Sequence, residues 1–278
     1  MSTNSGLWID NGKCIGCSEC VRICSKLNIS LDDETPMFVS EDNCNRCLHC
    51  VAVCPTGAIS YDCELYNKPV EELEPLNNSK SPVTGDEFIK LAKKRRTIRH
   101  FKQQTPSKSD IERILEAANY APSAGNRQPL RYVVIEKKLD EVTTAAMYEL
   151  QALAVEDPSL PYANLWRDMI ITYKYDNTDR LFYHAPIVIA IIGDSNITAN
   201  LECDCGIAAE NMSLMADTMG LGTCMNAFFA TAAKNSERIR EMLSVGENER
   251  VLLGFAVGYP DIDFKREVAR NKLKVSYM

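Results

Sequence analysis

Eight of the twelve cysteines in this 278-residue chain stand in two runs of one spacing, C-x2-C-x2-C-x3-C. Cys14, Cys17, Cys20 and Cys24 form the first run, and Cys44, Cys47, Cys50 and Cys54 form the second. A thiolate is a soft donor suited to zinc, copper(I) and iron–sulfur centres. Three thiols two residues apart on one tight loop can converge on neighbouring metals of a polynuclear centre. Structural zinc instead favours separated C-x2-C pairs that give four ligands per ion, and disulfide staples belong to oxidising compartments. Duplicated four-cysteine runs fit iron–sulfur chemistry better than either.

The spacing needs a scaffold, and the sequence supplies it as a repeat. Residues 7–30 align with residues 37–60, with Val21, Ile29 and Ser30 matching Val51, Ile59 and Ser60. Each half reads as a short apolar strand, a cysteine loop, one helical turn and another strand. A segment this short has too little core alone, so the halves must bury their apolar faces against each other. The region resembles the bacterial-type ferredoxins over about residues 5–62. That resemblance implies two 4Fe-4S clusters with the fourth ligand crossed between runs. Cys14, Cys17, Cys20 and Cys54 would hold one cluster, and Cys44, Cys47, Cys50 and Cys24 the other. It also implies one-electron transfer, with no bond-making at the iron. Pro55 follows the last cysteine of the second run as in that family, but Ser25 stands at the matching place in the first, which puts the turn after Cys24 in question. Cys63 falls outside the pattern.

Charge divides the chain. Residues 1–86 carry 6 Lys and Arg against 13 Asp and Glu, which accounts for the whole net charge of −7. Residues 63–85, rich in Pro, Asn, Ser and Glu, read as a linker. The expected organisation is a cluster domain over 1–62, the linker over 63–85 and a second domain over 86–278.

In that second domain Phe88, Ile89, Leu91 and Ala92 form a helical stripe, and Ser107 with Asp110 marks the start of another helix whose buried face is Ile111, Ile114, Leu115 and Ala118. Pro122 stops it. Residues 131–136, 185–193 and 251–260 read as buried strands, and residues 206–220, with Met212, Met215 and Met219, as a buried helix. Helices and strands mix without βαβ alternation, so the fold class is α+β. Between the first two helices lies KKRRTIRHF, residues 93–101. Lys93 and Lys94 suit a helix C-terminus with no ligand at all. Arg95, Thr97 and Arg99 alternate, so an extended segment would point all three to one side, a donor set suited to a phosphate dianion. A helix end and a phosphate site both remain open on these residues alone; an acidic chain with no wider basic footprint disfavours nucleic acid.

The motifs RRTIRHF, APSAGNRQP, GLGTCMNAFF and VGYP, followed by REVARNKLKV, occur in the order found in the FMN-dependent nitroreductase superfamily, which the chain resembles over about residues 87–278. The resemblance implies a nitroreductase-like sheet with flanking helices and FMN at a homodimer interface. Arg95, Arg96, Thr97 and Arg99 would hold the FMN phosphate and ribityl chain, with Arg270 and Lys272 completing the phosphate site. Pro122, Ser123, Ala124 and Asn126 would come from the other subunit. Backbone amides of a loop around Met225, Asn226 and Ala227 would face the flavin edge, where this sequence departs from the usual residues, leaving Asn226 as either a substrate contact or a polar loop residue. No catalytic side chain is implied, since the flavin carries the chemistry. One or two of Tyr162, Trp166 and Tyr173, in the aromatic-rich segment 147–184, would stack over the flavin.

Other signals are bland. Gly220 and Gly222 lack the third glycine and preceding strand of a dinucleotide fingerprint and read as a helix cap and turn. His49, His100 and His184 are scattered and read as structural, and Cys203, Cys205 and Cys224 as small packed hydrophobes. No apolar stretch is long enough to span a bilayer and no secretory signal is visible, so a cytoplasmic protein is expected. The combined expectation is an iron–sulfur flavoprotein oxidoreductase. It would take electrons from a ferredoxin, a flavodoxin or NAD(P)H and pass them to a small organic acceptor such as a nitro compound. Reductive dehalogenation, or a non-catalytic carrier or redox sensor, are the alternatives.

Overall fold

Strands of the cysteine repeat pair across its two halves. This computed structural model describes residues 6–33, 35–40, 43–62, 64, 66–76 and 81–278, so Cys63 lies outside the described residues. The chain divides into two compact units, residues 1–82 and 83–278. In the first, β1 (Leu7–Ile9), α1 (Glu19–Ile23) and β2 (Ile29–Asp32) form one half, and β3 (Thr35–Phe38), α2 (His49–Val53) and β4 (Ile59–Tyr61) the other. β1 pairs antiparallel with β4, Leu7 opposite Tyr61, and β2 with β3, Ile29 opposite Phe38. Neither half can form a ladder without the other. Leu7, Ile29, Val51, Ile59 and Tyr61 are buried between them with Cys20 and Cys50.

The repeat extends to the backbone. Left-handed φ angles recur thirty residues apart, at Gly16 and Arg46, Ser18 and Leu48, and Leu27 and Gly57. The turn after the fourth cysteine is the same in both halves: the Asn28 amide donates to Cys24 Sγ and the Ala58 amide to Cys54 Sγ, each at 3.2 Å. Ser25 therefore replaces the proline of the second half without altering the turn. The chain beyond β4 folds back on this unit, where Tyr61 Oη donates to the Lys68 carbonyl at 2.8 Å and Val70–Glu72 make a single 3-10 turn.

The second unit holds α3 (Gly85–Lys94), α4 (Lys108–Asn119), β5 (Leu130–Ile135), α5 (Leu139–Glu156), α6 (Ala163–Asp176), β6 (Ile187–Asp194), α7 (Leu201–Thr218), β7 (Gly222–Asn226), α8 (Ala227–Asn235), α9 (Glu237–Met242) and β8 (Glu249–Gly258). The sheet is antiparallel in the order β5-β6-β8-β7. β6 is apolar from Ile187 to Gly193 because both its faces are covered there. Ile187, Ile189 and Ile191 pack towards α4 and α7, while Val188, Ala190 and Ile192 pack towards α5, α6 and α8. Helices on both sides of an antiparallel sheet agree with the expected α+β class. Among the described residues no helix is long and apolar enough to cross a membrane.

Capping boxes fix both starts, Thr84 with Glu87 for α3 and Ser107 with Asp110 for α4. The α3 stripe is not core, however: α3 buries none of its residues, and Phe88 and Ile89 are half exposed. β7 is a strand where a turn and loop were expected. Gly220 (φ 74°) does end α7, with Leu221 N–H bonding Ala216 O and Gly220 N–H bonding Asp217 O, and β7 then begins two residues later.

Candidate functional site

The cysteines of the first unit gather in two sets of four. One cavity is lined by Cys14, Cys17, Cys20 and Cys54, the other by Cys44, Cys47, Cys50 and Cys24. The fourth cysteine of each run thus faces the first three of the other, because the cross-paired strands interleave the halves. All eight are free thiols. Among the described residues no three His, Cys, Asp or Glu side chains close on a single-ion site. Burial pushes the Cys50 thiol up to about 12 and raises that of Cys20. Burial acts on Cys54 in the same sense but is outweighed by hydrogen bonds from the Thr56 hydroxyl and the Ala58, Thr56 and Ile59 amides, so its thiol is lowered. Four soft donors per cavity, with amides aimed at Cys24 and Cys54, are a donor set that fits a 4Fe-4S cluster in each.

Tyr66 lies against the apolar core of this unit, which holds cysteines of both sets. Its ring meets Tyr61 edge-on at 4.7 Å and 64° and packs against the core that includes Cys50. Among the described residues its hydroxyl is buried with no hydrogen-bond partner, and burial above all pushes it up to about 12.

In the second unit the basic run is a helix end joined to an extended segment. Lys94 Nζ pairs with Asp217 at 2.9 Å and Lys93 with Glu267 at 3.4 Å. Arg95 is the C-cap of α3. Its Nε faces Glu210 Oε1 at 3.4 Å, close enough for an ion pair but not aligned as a hydrogen bond, so that buried nitrogen has no acceptor. Arg96 donates to the Lys93 carbonyl. Ile98 then turns into the core while Thr97 and Arg99 stay exposed. Arg95, the C-cap of α3, lines a cleft that Thr97 and Arg99 do not, so the three do not share one side as the sequence implied. The segment runs parallel to β7, with Thr97 bridging Thr223 and Ile98 N–H donating to Thr223 O at 2.9 Å. This approach requires glycine at 222, since a Cβ there would lie 2.4 Å from Ile98 Cγ1.

The segment divides the basic residues between two places. Arg95 and Arg96 line a cleft of about 710 Å³ with Lys90, Ser213, Thr223 and Lys265. Arg99, further along β7, stands over the Tyr183 ring at 5.7 Å and beside Cys224, whose thiol burial raises and Arg99 partly lowers. Tyr183 and His184 hold left-handed φ angles of 59° and 53°. The buried Asp179 carboxylate fixes them by accepting from the Leu181, Phe182 and His184 amides.

Residues 225–227 form a strand–helix junction, not a loop. Met225 is exposed, and Asn226 is buried with both ends of its amide engaged: Oδ1 caps α8 through Phe229 N–H, and Nδ2 donates to Leu181 O at 2.6 Å. Asn226 therefore helps to build the site's wall, each end of its amide holding the protein. Ala227, exposed, begins α8. Nothing in the residue pattern marks Asp179, whose carboxylate captures backbone amides.

Pro122, Ser123, Ala124 and Asn126 stand elsewhere, at the N-terminal end of α7. The Ala124 amide donates to buried Asp204 at 3.1 Å, and Pro122 and Ser123 line a small cavity with Asp204. Asp204 and Asp217 sit in opposite end turns of α7, roughly 20 Å apart at 1.5 Å per residue, so one chain does not bring this loop to the basic run. Arg270 and Lys272 are exposed in the irregular tail and do not line the cleft. Of the aromatic candidates, Trp166 is buried and Tyr173 bonds Thr144 at 3.0 Å, both within the core. Tyr162, half exposed, packs on Phe228 at 5.0 Å beside the 225–227 junction.

Comparison with known proteins agrees with this geometry. Residues 92–259 match the Nitroreductase family and residues 7–61 a 4Fe-4S dicluster domain. A nitrobenzene nitroreductase from Ectopseudomonas oleovorans is 28% identical over 225 residues, covering 71% of this chain and 94% of that relative. An iodotyrosine deiodinase from Thermotoga neapolitana is 24% identical, covering 67% of this chain and 95% of its own. The crystal structure of a nitroreductase with bound FMN from Desulfitobacterium hafniense DCB-2 superposes with a TM-score of 0.56 at 25% identity, over 68% of this chain and 97% of that one. The chain belongs to the nitroreductase family and carries a 4Fe-4S dicluster domain ahead of the nitroreductase domain.

Proposed function

We propose that this protein is an iron–sulfur flavoprotein oxidoreductase. It takes electrons from a low-potential donor on two 4Fe-4S clusters and delivers them, by way of FMN, to an organic acceptor, a nitro compound in the first instance. The observation that carries the reading is the crossed gathering of eight free cysteines into two sets of four, on the same chain as a nitroreductase domain. FMN, when bound, supplies the exchange between one-electron and two-electron chemistry. The chain's own residues bind and orient it. Arg95, with its unsatisfied Nε, and Arg96 offer the cleft to the phosphate; Thr97 and Arg99 face outwards beside β7, and Met225 and Ala227 border the flavin edge. Arg270 and Lys272 would join the phosphate only if the tail closes over the cleft.

A second copy belongs to this reading. The loop of Pro122, Ser123, Ala124 and Asn126 stands apart from the basic run of its own chain, and the apolar α3 face with Phe88 and Ile89 is open. Residues 1–62 would act as the electron-entry domain and residues 86–278 as the flavin domain. The linker between them would hold the first at high effective concentration beside the second. The acidic first unit favours a donor with a basic face, such as a reduced ferredoxin or flavodoxin, and reduced free thiols fit a cytoplasmic setting.

Reductive dehalogenation is the second reading, supported by the deiodinase relative. Anaerobic purification tests the main one. About eight irons and one FMN per chain are expected, with turnover of a nitroaromatic outpacing that of a halophenol; folded, colourless, iron-free protein would refute it.

A further inference from the structure

The thirty-residue repeat breaks in the turn after each fourth cysteine. Pro55 and Thr56 follow Cys54, where Ser25 and Lys26 follow Cys24. Both fourth cysteines accept a backbone amide at 3.2 Å, from Ala58 and from Asn28. Cys54 has a further contact that the first half cannot copy. Thr56 Oγ1 stands 3.7 Å from Cys54 Sγ, within reach of a hydrogen bond to sulfur, whereas Lys26 at the matching place has no hydroxyl. Thr56 lines the cavity of Cys14, Cys17, Cys20 and Cys54, and Lys26 lines the other. In that other set the Arg46 amide donates to Cys44 Sγ at 3.3 Å. Backbone bonds of this kind survive a side-chain change, and the Thr56 bond does not. In the free thiol either atom of the Thr56–Cys54 pair could donate. A metal-bound cysteine has lost its proton, so with a cluster in place the sulfur accepts and the Thr56 O–H donates. A hydrogen bond to an ionised acceptor is roughly twice as strong as a neutral one.

We propose that Thr56 raises the reduction potential of the cluster held by Cys14, Cys17, Cys20 and Cys54, its hydroxyl donating a hydrogen bond to the Cys54 ligand sulfur. The inference rests on the reading that these cysteines hold a 4Fe-4S cluster. Reduction adds one electron to the cluster, and a donor at a ligand sulfur stabilises the added charge. Lys26 gives the other cluster only an exposed charge, which salt screens. Thr56 gives a directed bond at the sulfur itself. It acts through that sulfur and is a positioning residue, with no contact to substrate.

Thr56→Val keeps the volume and branching of the side chain and removes the hydroxyl. In the full-length, cluster-loaded protein we expect unchanged iron content and one of two reduction steps moved to more negative potential. At a fixed applied potential the reduced-to-oxidised ratio of that cluster falls about twofold to tenfold, and the other step stays in place. Thr56→Ser restores the O–H and should return the step to its wild-type position. Added to Cys54→Ser, which removes the cluster that Thr56 adjoins, Thr56→Val should leave the one remaining step unmoved. Unmoved steps in Thr56→Val, equal movement of both, no recovery in Thr56→Ser, or movement of the step that survives Cys54→Ser would each overturn the proposal. Wild-type protein without iron would refute the cluster reading instead, whereas a full iron load with unmoved steps would refute Thr56 alone.

Discussion

The Arg99 guanidinium stands 5.7 Å from the centroid of the Tyr183 ring, and Tyr183 is held in a left-handed conformation by the buried carboxylate of Asp179. A strained turn far along the chain thus fixes the far end of the basic segment. Such strain persists only where surrounding contacts over-determine it, and it concentrates at binding sites.

Arg99→Ala should weaken FMN binding roughly 10- to 100-fold, the loss of one charge-assisted hydrogen bond, with iron content unchanged. Tyr183→Leu should weaken it only several-fold, a cation–π contribution of about 0.5–1 kcal/mol. Flavin fluorescence on dilution reads both.

Gly222→Ala should displace the basic segment from β7, because the new Cβ meets Ile98 Cγ1 at 2.4 Å. Overpacking of this kind costs about 1–3 kcal/mol. A lowered melting temperature together with weaker FMN retention is expected; a variant as stable as wild type would show that the segment is free to move.

Cys54→Ser removes a ligand from the set completed by Cys14, Cys17 and Cys20, not from the run in which it lies. Iron should fall from about eight towards about four per chain, and the surviving cluster should be the one on Cys24, Cys44, Cys47 and Cys50. A Cys14→Ser variant that loses a different cluster from the one lost in Cys54→Ser, judged by the reduction potential that remains, would contradict the crossed assignment.

Glu249 gives an acid signature. Arg131 Nε and Nη2 engage its two oxygens at 2.7 and 2.6 Å, and its carboxyl is lowered to about 2 by that hydrogen-bonded pairing. A carboxyl lowered on folding stabilises the folded state above its unfolded value and loses that contribution as pH falls through its folded value. The window therefore runs from about 4.5 down to about 2. With the Arg131 side chain 37% exposed, screening limits the contribution to about 1 kcal/mol. Urea unfolding of Glu249→Gln should be less pH-dependent than wild type across that window.

What was legible in the sequence was local. The cysteine spacing and the Ser107–Asp110 cap act over a few residues, and the apolar run 187–193 needs only two covered faces. β7 was not legible because Gly222, Thr223, Cys224, Met225 and Asn226 carry no strand periodicity, and their ladder partners, Gly254 to Gly258, lie far along the chain. Asn226 reads as a polar loop residue until Leu181 and Phe229 are both beside it. Tyr66 gave no signal, since its place depends on a fold-back pinned by Tyr61 and Lys68. The α3 stripe was legible as amphipathic, but one chain offers its Phe88 and Ile89 nothing to pack against.

Anaerobic rapid mixing of pre-reduced protein with a nitroaromatic tests the central claim most directly. Wild type should return its cluster absorbance to the oxidised state with stoichiometric hydroxylamine product, while FMN-depleted Arg99→Ala protein, equally reduced and equally loaded with iron, should keep its clusters reduced. Clusters that reoxidise equally fast without FMN, or that stay reduced in wild type while the flavin turns over, would contradict it.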